Sequence, residues 1–382
     1  MSSDLGVHLT VLAGPTVPLP LPPHLAERLL SVTVTESDAA RSAFTITLDA
    51  GRSGPTAAFD TPVVGLVTPL RAGSRVVVVL TIGIVPHVLC DGIVTETELT
   101  PGSAESAAEL RLTGQDLSVL LDRREVSAEF PALEDSLQVL AIAAGYAPHG
   151  LVPLVVPPAD MDVPLPIERI PTQQGTDWAH LQLLAARHGY ACYVSPGPLP
   201  GQSVLYWGPP VREGIPQPAL SVGLGPATNV SGSLRFREDV LGPELQRGQV
   251  TDTLSGATVP VVTVGALRVP LSALPTWATH QTELRTRQFR DTGISAVTAY
   301  ARAQAATDRS ADSMSCDGTL DGSVYGAVLR PRGLVGVRGA GWHHDGLWYV
   351  RQTVHRVTRG SYTADFSLTR DGLGSTLPVV PV

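Results

Sequence analysis

The sequence has no lysine and few charges of either sign, which narrows the classes of protein it can belong to. All 27 basic residues are arginine, and 35 acidic residues outweigh them to give a formal net charge of −8. Charged residues make up 16% of the 382 residues, below the level of about 25% that is typical of soluble domains. Without lysine, a phosphate-binding Gly-x-x-x-x-Gly-Lys loop is excluded, and the acidic balance predicts no stable nucleic-acid binding.

Cysteines and long apolar runs are also scarce. Cys90, Cys192 and Cys316 lie about a hundred residues or more apart, without a Cys-x-x-Cys pair, which argues against a disulfide scaffold or a zinc module. The longest apolar run, residues 76–89, is too short to span a bilayer and is interrupted by a glycine and a proline. The first residues lack the basic and apolar segments of a signal peptide. We therefore expect synthesis in the cytoplasm, no secretion by a signal peptide and no membrane insertion.

Glycine and proline are abundant, with 37 and 33 residues, and many short segments alternate between apolar and polar side chains. This period of two predicts antiparallel strands, for example over residues 30–35 and 44–48. We predict a mainly β fold with α+β insertions. Its parts are a first β-barrel domain over residues 1–122, an α+β domain over 123–218, a second β-barrel domain over 219–375 with an inserted segment near 250–312, and a C-terminal tail over 376–382.

Helical patterns occur in three places only. The spacing predicts helices near 134–144, 176–188 and 294–307, the second with a Thr or Asp cap and Gly189 at its end. The expected apolar positions are Leu137, Leu140, Ile142 and Ala144 in the first helix and Trp178, Leu181, Leu184 and Ala185 in the second. Residues 261–288 give no firm assignment.

The chain contains a candidate internal repeat. Residues 69–78 and 329–337 share a Leu-Arg pair, a nearby glycine and then a β-branched strand, and two further strand-like segments follow each in the same order. The last of these pairs matches residues 110–117 with 366–373. A trimer of a chain with two similar barrels would present six similar modules in a ring, which could bind a hexameric partner.

Three segments together resemble the baseplate hub family of contractile tails: the phage late control D proteins, the hub of myophage tails and the N-terminal half of VgrG spikes. Residues 175–194 are similar to the family's acidic-aromatic helix, which ends in a Gly-Tyr turn into a strand. Residues 332–339 with 346–358 and 362–368 resemble its closing barrel, and residues 30–48 resemble its opening barrel.

This resemblance implies a homotrimer whose two tube-type barrels per chain form a pseudo-sixfold ring. Its partners would be a hexameric inner tube protein, other baseplate proteins and a separate spike protein, because VgrG chains continue into an oligonucleotide-binding fold and a β-helix that this sequence does not contain. The implied function is a structural baseplate hub that adapts the tube to a trimeric spike and nucleates tube assembly in a phage or injection-system particle.

The sequence shows no enzyme signature, so we expect no catalytic, cofactor or metal site. His343, His344 and Asp345 precede Gly346 in a hairpin-turn pattern, which is more typical of a loop than of a metal site. Paired carboxylates such as Glu96 with Glu98, or Asp116 with Asp122, fit a solvated face better than a glycosidase. The alternative to a hub is a tail-associated or cell-surface β protein that binds or hydrolyses carbohydrate.

Five arginines lie near the matching strand starts of the two predicted barrels. Arginine forms bidentate pairs with carboxylates and is common at interfaces, although salt bridges within the surface are the simpler explanation. The predicted protein-interface residues are Arg71, Arg75, Arg330, Arg332 and Arg338.

Overall fold

The computed structural model describes residues 6–15, 17–51, 68–101, 108–158, 170–252 and 255–376. Strands account for 48% of the structure and helices for 18%, which confirms the predicted mainly β class. The strands, in chain order, are β1 (Val7–Gly14), β2 (Leu19–Pro20), β3 (Leu29–Ser37), β4 (Ala43–Asp49), β5 (Arg75–Ile82), β6 (Val85–Thr100), β7 (Glu109–Asp116), β8 (Glu125–Glu129), β9 (Leu151–Val155), β10 (Thr172–Thr176), β11 (Ala191–Pro196), β12 (Ser203–Gly208), β13 (Gln217–Ser221), β14 (Val230–Glu238), β15 (Glu244–Thr251), β16 (Thr258–Val262), β17 (Ser272–Pro275), β18 (Arg285–Gln288), β19 (Met314–Asp321), β20 (Leu334–Arg338), β21 (Gly346–Thr358), β22 (Ser361–Arg370) and β23 (Gly372–Ser375). The α-helices are α1 (Pro23–Ala26), α2 (Ser118–Leu121), α3 (Asp135–Ala144), α4 (Asp177–His188), α5 (Thr276–Thr279), α6 (Ala296–Ser310) and α7 (Gly322–Tyr325).

Thirteen strands form one continuous sheet, and this sheet contains two sets of six strands with the same order of neighbours. The N-terminal module has the order β1-β5-β6-β7-β4-β3, and the C-terminal module has the order β13-β20-β21-β22-β19-β14. The two orders differ in one pairing, because β1 is antiparallel to β5 whereas β13 is parallel to β20. Strand β2 extends the edge beyond β1.

The two modules are joined by direct pairing of β21 with β3, over Gln352–Ser37 to Thr358–Ser31. Two separate barrels were predicted, but within the described residues the strands of both regions share this one sheet and neither set closes into a barrel. The alternation of apolar and polar residues indicates which side chains of a strand face the core. It does not indicate which strand is the neighbour, so the pairing of β21 with β3 could not be predicted from the sequence.

Two hydrophobic clusters lie under the main sheet, one mainly in each module, and the N-terminal one also contains Val357 and Tyr362 of β21 and β22. In β3 and β4 the side chains of Val32, Val34, Phe44 and Ile46 are completely buried in the N-terminal core, while the threonines between them are partly exposed. The core of the C-terminal module contains Trp348 and its apolar neighbours from the sheet. Antiparallel sheets with one covered face show this pattern because successive side chains point to opposite faces.

The α+β module lies between the two halves of the main sheet in the chain and contains α3, α4 and strands β8 to β12. Both helices lie within one residue of the predicted ranges. The Thr176 hydroxyl caps α4 by accepting from the amide of Ala179 at 3.2 Å, and Gly189 ends it with a left-handed φ of 67°. As predicted, Leu181 and Leu184 are buried in the module core.

The buried face of α3 differs from the prediction. Val139 and Ala143 are buried in the core, whereas Leu137 and Leu140 are 44% and 40% exposed. The polar Gln138 is buried instead, because its side chain donates to the carbonyl of Leu133 at 2.9 Å and contacts His180. A hydrogen-bonded glutamine can therefore occupy a core-facing position that hydrophobicity alone assigns to leucine.

An inserted module separates β14 from β19. It consists of a sheet in the order β16-β15-β18 and of helix α6, which packs on β15 and β16. Its elements run from Glu244 to Ser310, and an insertion was predicted near 250–312. The unassigned stretch 261–288 contains β17, α5 and β18. Asp312 joins the module to its surroundings by ion pairs with Arg212 at 2.6 Å and with Arg268.

Candidate subunit interface

A buried ion pair lies at the joint between β21 and β3. The Arg330 Nη1 atom is 2.9 Å from Oε1 of Glu36, whose side chain is 3% exposed, and Arg330 Nη2 donates to the carbonyl of Val88 at 2.5 Å. The other carboxylate oxygen of Glu36 is 3.5 Å from Nε2 of the buried His355. Burial alone would raise the pKa of Glu36, but the neighbouring Arg330 and His355 lower it below its ordinary value. The carboxylate is therefore held in its charged form at the joint.

Arg332 connects three parts of the chain. Its backbone has a φ of 65°, its guanidinium donates to the carbonyl of Ser37, and it lies 3.7 Å from the ring centroid of Tyr193. The stacking ties the C-terminal module to β11 of the α+β module, and the hydrogen bond ties it to the end of β3. A non-glycine residue with positive φ is uncommon, and here these two contacts offset the strain.

Arg75 connects the N-terminal module to the α+β module. It forms a bidentate pair with Asp91, with both N–O distances at 2.7 Å, and also donates to the carbonyls of His149 and Gly201 at 2.9 and 3.0 Å. The Asp91 side chain is completely buried. Bidentate arginine pairs fix orientation as well as charge, so Arg75 sets the angle between two modules of the same chain.

The five predicted interface arginines thus fall into two groups. Arg75, Arg330 and Arg332 are engaged within the chain. Arg71 and Arg338 are exposed, and their side chains have no hydrogen bond or ion pair within the part of the chain that the structure describes. An interface role between subunits stays a prediction for these two.

Backbone hydrogen bonds show which residues of the two modules correspond. In the N-terminal module the amide of Gly73 donates to the carbonyl of Val94 at 2.8 Å, and in the C-terminal module the amide of Arg332 donates to Val350 at 2.9 Å. Gly73 and Arg332 also share a left-handed backbone, with φ of 86° and 65°. We call residues that occupy the same place in the two modules matched.

Arg71 and Arg330 are a matched pair, because each lies two residues before that left-handed position. Each also directly follows a buried leucine, Leu70 or Leu329. Arg330 is in contact with Glu36 across the β21–β3 joint, whereas Arg71 is exposed. The same local structure therefore holds an arginine that is paired in one module and free of described partners in the other.

The strand registers extend the match across the sheet. Val94 pairs with Gly114 and Val350 pairs with Leu368, each immediately before a bulge in its strand. Further pairings then lead from β7 to β4 and β3, and from β22 to β19 and β14. The resulting matched pairs are Gly114 with Leu368, Phe44 with Cys316, Val34 with Phe236, and Glu36 with Glu238.

Glu36 and Glu238 were missed by the sequence reasoning, although a signal was present. Residues 31–36 read Ser-Val-Thr-Val-Thr-Glu and residues 233–238 read Ser-Leu-Arg-Phe-Arg-Glu. Both start at a serine, alternate apolar and polar residues and end at a glutamate. An aligned repeat would have paired the two glutamates.

Among the strand edges of the main sheet that are unpaired within the described residues, two belong to β6 and β14. Strand β6 continues beyond Arg75, the first residue of β5, so residues 96–100 pair with β7 on one edge only. Residues 95–100 are all exposed. Strand β14 is last in the path and pairs with β19 on one edge only. Its residues Arg235, Arg237 and Glu238 are exposed. Unpaired edges are where another chain can add a strand.

The described residues contain no group of three or more His, Cys, Asp or Glu side chains that could hold a metal ion. His343, His344 and Asp345 lie in the β20–β21 loop, as predicted, where Arg370 donates to the carbonyls of His343 and Asp345 at 2.6 and 2.9 Å. Asp116 accepts from backbone amides at 2.6 and 2.9 Å, and Asp122 pairs with Arg41 at 2.7 Å. Each of these aspartates therefore has a structural partner.

The three cysteines are free and buried. Burial raises the pKa of Cys192 and of Cys316 to about 12, so both remain thiols at neutral pH. Among the described helices, none combines the length and apolar character needed to cross a membrane.

Comparisons with known proteins show a shared fold over nearly the whole chain. No family model and no curated protein matches the sequence. The solved tail protein from Neisseria meningitidis MC58 is 14% identical, with a TM-score of 0.63, over 97% of this chain and 98% of that one. The 43 kDa tail protein of prophage MuSo2 from Shewanella oneidensis is 15% identical, with a TM-score of 0.63, over 96% and 100%.

A further similar structure is an E. coli component of the type VI secretion system, described as similar to the T4 bacteriophage tail proteins gp27 and gp5. It is 11% identical with a TM-score of 0.52, over 92% of this chain and 77% of that one. The structural neighbours are thus phage tail proteins and type VI secretion proteins, and at these identities they establish the fold.

Proposed function

We propose that this protein is the baseplate hub of a phage tail or of a phage-derived contractile injection system. The observation that carries the proposal is the presence of two modules with the same strand order, side by side in one sheet. Three copies of such a chain contain six similar modules, so a homotrimer forms a pseudo-sixfold ring. The end-to-end fold similarity to phage tail proteins supports the same role.

The proposed mechanism is geometric. Six similar modules offer six similar surfaces to a hexameric inner tube protein, and the threefold repeat of the whole chain suits a separate trimeric spike protein. A ring of this kind also nucleates tube assembly, because it presents the first complete hexameric layer. The protein is made in the cytoplasm and becomes part of the particle together with other baseplate proteins.

This role requires no bond to be made or broken, and we propose that the protein is not an enzyme. The buried charged groups support this view, because they connect parts of the fold. Arg75 with Asp91 fixes two modules, Arg330 with Glu36 fixes the joint, and Asp312 fixes the inserted module.

The first test is the mass of the purified protein by light scattering over a range of concentrations, together with electron-microscopy class averages. The proposal predicts three times 40.1 kDa and a ring with six similar densities. Addition of the purified trimer to inner tube protein should also shorten the lag of tube polymerisation. A monomer at every concentration, with no effect on polymerisation, would contradict the proposal.

A further inference from the structure

The β21–β3 joint within one chain is a template for a joint between two chains. Strand β21 has two partners along one edge: β20 at its beginning and β3 along residues 352–358. Strand β6 is its match, but along the corresponding edge it has only β5, and residues 95–100 have no described partner there. The strand that would fill this place is the match of β3. That strand is β14, whose outer edge is unpaired among the described residues.

We propose that the outer edge of β14 in one copy pairs antiparallel with residues 95–100 of β6 in the next copy, in the register of the β21–β3 joint. This proposal rests on the ring proposed above and gives it an interface. Because β6 and β14 lie in different modules, the contact is head-to-tail, and three such contacts close a ring.

The register assigns partners residue by residue. In the template, Thr353 lies opposite Glu36 and His355 lies opposite Val34. The matched positions place Thr97 opposite Glu238, Glu98 opposite Arg237, and Leu99 opposite Phe236. Leu99 is 39% exposed in the single chain, so the pairing would remove an exposed apolar side chain from water.

Matched positions also give the proposed joint between copies an ion pair. Arg330 contacts Glu36 in the template, and their matches are Arg71 and Glu238. Both are exposed, and neither side chain has a hydrogen bond or ion pair among the described residues, although Glu238 interacts electrostatically with His344. Arg71 of one copy therefore meets Glu238 of the next. The exposed Arg71 thus acquires the interface role that the sequence predicted for it.

Charge on the two edges favours this pairing over a symmetric one. The edge of β6 carries Glu96 and Glu98, whereas β14 carries Arg235 and Arg237. Two β6 edges would place glutamates against glutamates, and like charges directly opposite are destabilising. Glu96 would face Asp239 in the proposed register, but Arg237 is its diagonal neighbour and offsets that contact.

Cysteine cross-linking tests the register. In the double variant Thr97→Cys/Glu238→Cys, oxidation should link successive copies into covalent dimers and trimers on a non-reducing gel, because directly opposite residues lie within disulfide range. The native cysteines are buried and give little background. The matched control is Thr100→Cys/Glu238→Cys, which moves one thiol about 10 Å along the strand and should not link.

Charge reversal tests the ion pair. Arg71→Glu and Glu238→Arg should each raise the protein concentration at which half of the chains are trimeric by about tenfold or more. The double variant should restore the wild-type concentration. Arg285→Glu, an exposed arginine in β18, should leave that concentration unchanged.

The outcomes separate the two proposals. If the wild type is a trimer but the Thr97→Cys/Glu238→Cys variant does not cross-link, or the Thr100→Cys/Glu238→Cys control links equally well, the register is overturned and the ring stands. A failure of the double charge reversal to restore assembly overturns the ion pair. If the wild-type protein stays monomeric and the Thr97→Cys/Glu238→Cys variant does not cross-link, both the joint and the ring are overturned.

Discussion

The two modules carry the same arginine and glutamate in the same places but in different environments. In the β21–β3 joint, Arg330 and Glu36 are paired and Glu36 is 3% exposed, whereas Arg71 and Glu238 are both exposed. The local backbone is alike, with a left-handed residue two positions after each arginine. The difference is that the peptide chain brings β3 to β21 but brings no described strand to the end of β6. A buried charge pair in one module thus indicates what the exposed pair in the other can become.

The largest expected effect comes from removing the arginine of the closed joint. Arg330→Ala leaves the buried Glu36 carboxylate without its guanidinium, which should lower the free energy of unfolding by about 3 kcal/mol. Arg71→Ala is the matched control and should cost less than about 0.5 kcal/mol under monomeric conditions. Urea unfolding of both variants measures the contrast, and equal losses would show that the two sites do not differ as described.

An intermediate effect is expected where the modules differ in side-chain size. A Cβ atom added at Gly114 would lie 2.2 Å from Phe44 Cζ and 2.5 Å from the backbone carbonyl oxygen of Ile93. In the C-terminal module the matched pair is Leu368 and Cys316, so the large and the small residue have exchanged places. Gly114→Ala should therefore cost about 2 kcal/mol by overpacking. Adding Phe44→Leu should restore part of the stability in thermal unfolding. If the double variant is no more stable than Gly114→Ala, the crowding does not come from Phe44.

The smallest effect concerns pH. The pKa of Glu36 is lower in the folded chain than its ordinary value of 4.5, so its stabilisation is present above that pH and is lost as pH falls through the folded pKa. The stability lost in Glu36→Gln should thus shrink as pH falls from neutral through the folded pKa of Glu36. The matched Glu238→Gln variant should differ from wild type by less than about 0.5 kcal/mol at both ends. Urea unfolding of both variants and wild type at several pH values in this range measures the effect. If the Glu36 carboxylate contributes nothing, the stability difference between Glu36→Gln and wild type will not change with pH.

Local patterns predicted local structure well. The helices α3 and α4 lie within one residue of the predicted ranges because capping residues and glycines mark helix ends. The predicted buried face of α3 was wrong because Gln138 is buried through hydrogen bonds, one to the nearby Leu133 and one to His180, which is 42 residues away in sequence. The predicted repeat paired Leu112 with Leu368, whereas the registers pair Gly114 with Leu368. Alternating sequences tolerate such a shift by two, since both alignments keep apolar residues on the same face.

The interface residues could be predicted only in part. Five arginines were predicted as interface residues because they lie near matching strand starts. Whether each one contacts a carboxylate of its own chain depends on the pairing of β21 with β3. Arg75 and Arg330 have partners 16 and 294 residues away in sequence. Glu238 could have been found from the aligned Ser-x-x-x-x-Glu segments, but its meaning depends on the environment of Glu36.

The inserted module gives the two otherwise equivalent halves different outlines. The turn between β3 and β4 spans residues 38–42, whereas between β14 and β19 the chain makes a separate sheet and helix α6 before it returns. In a ring, every second module would carry this extra mass. A partner that contacts the strands would meet six equal positions, but one that contacts the insertions would meet three. The insertion would thus give the ring threefold symmetry towards a partner that contacts it, while the strands keep near-sixfold symmetry towards another.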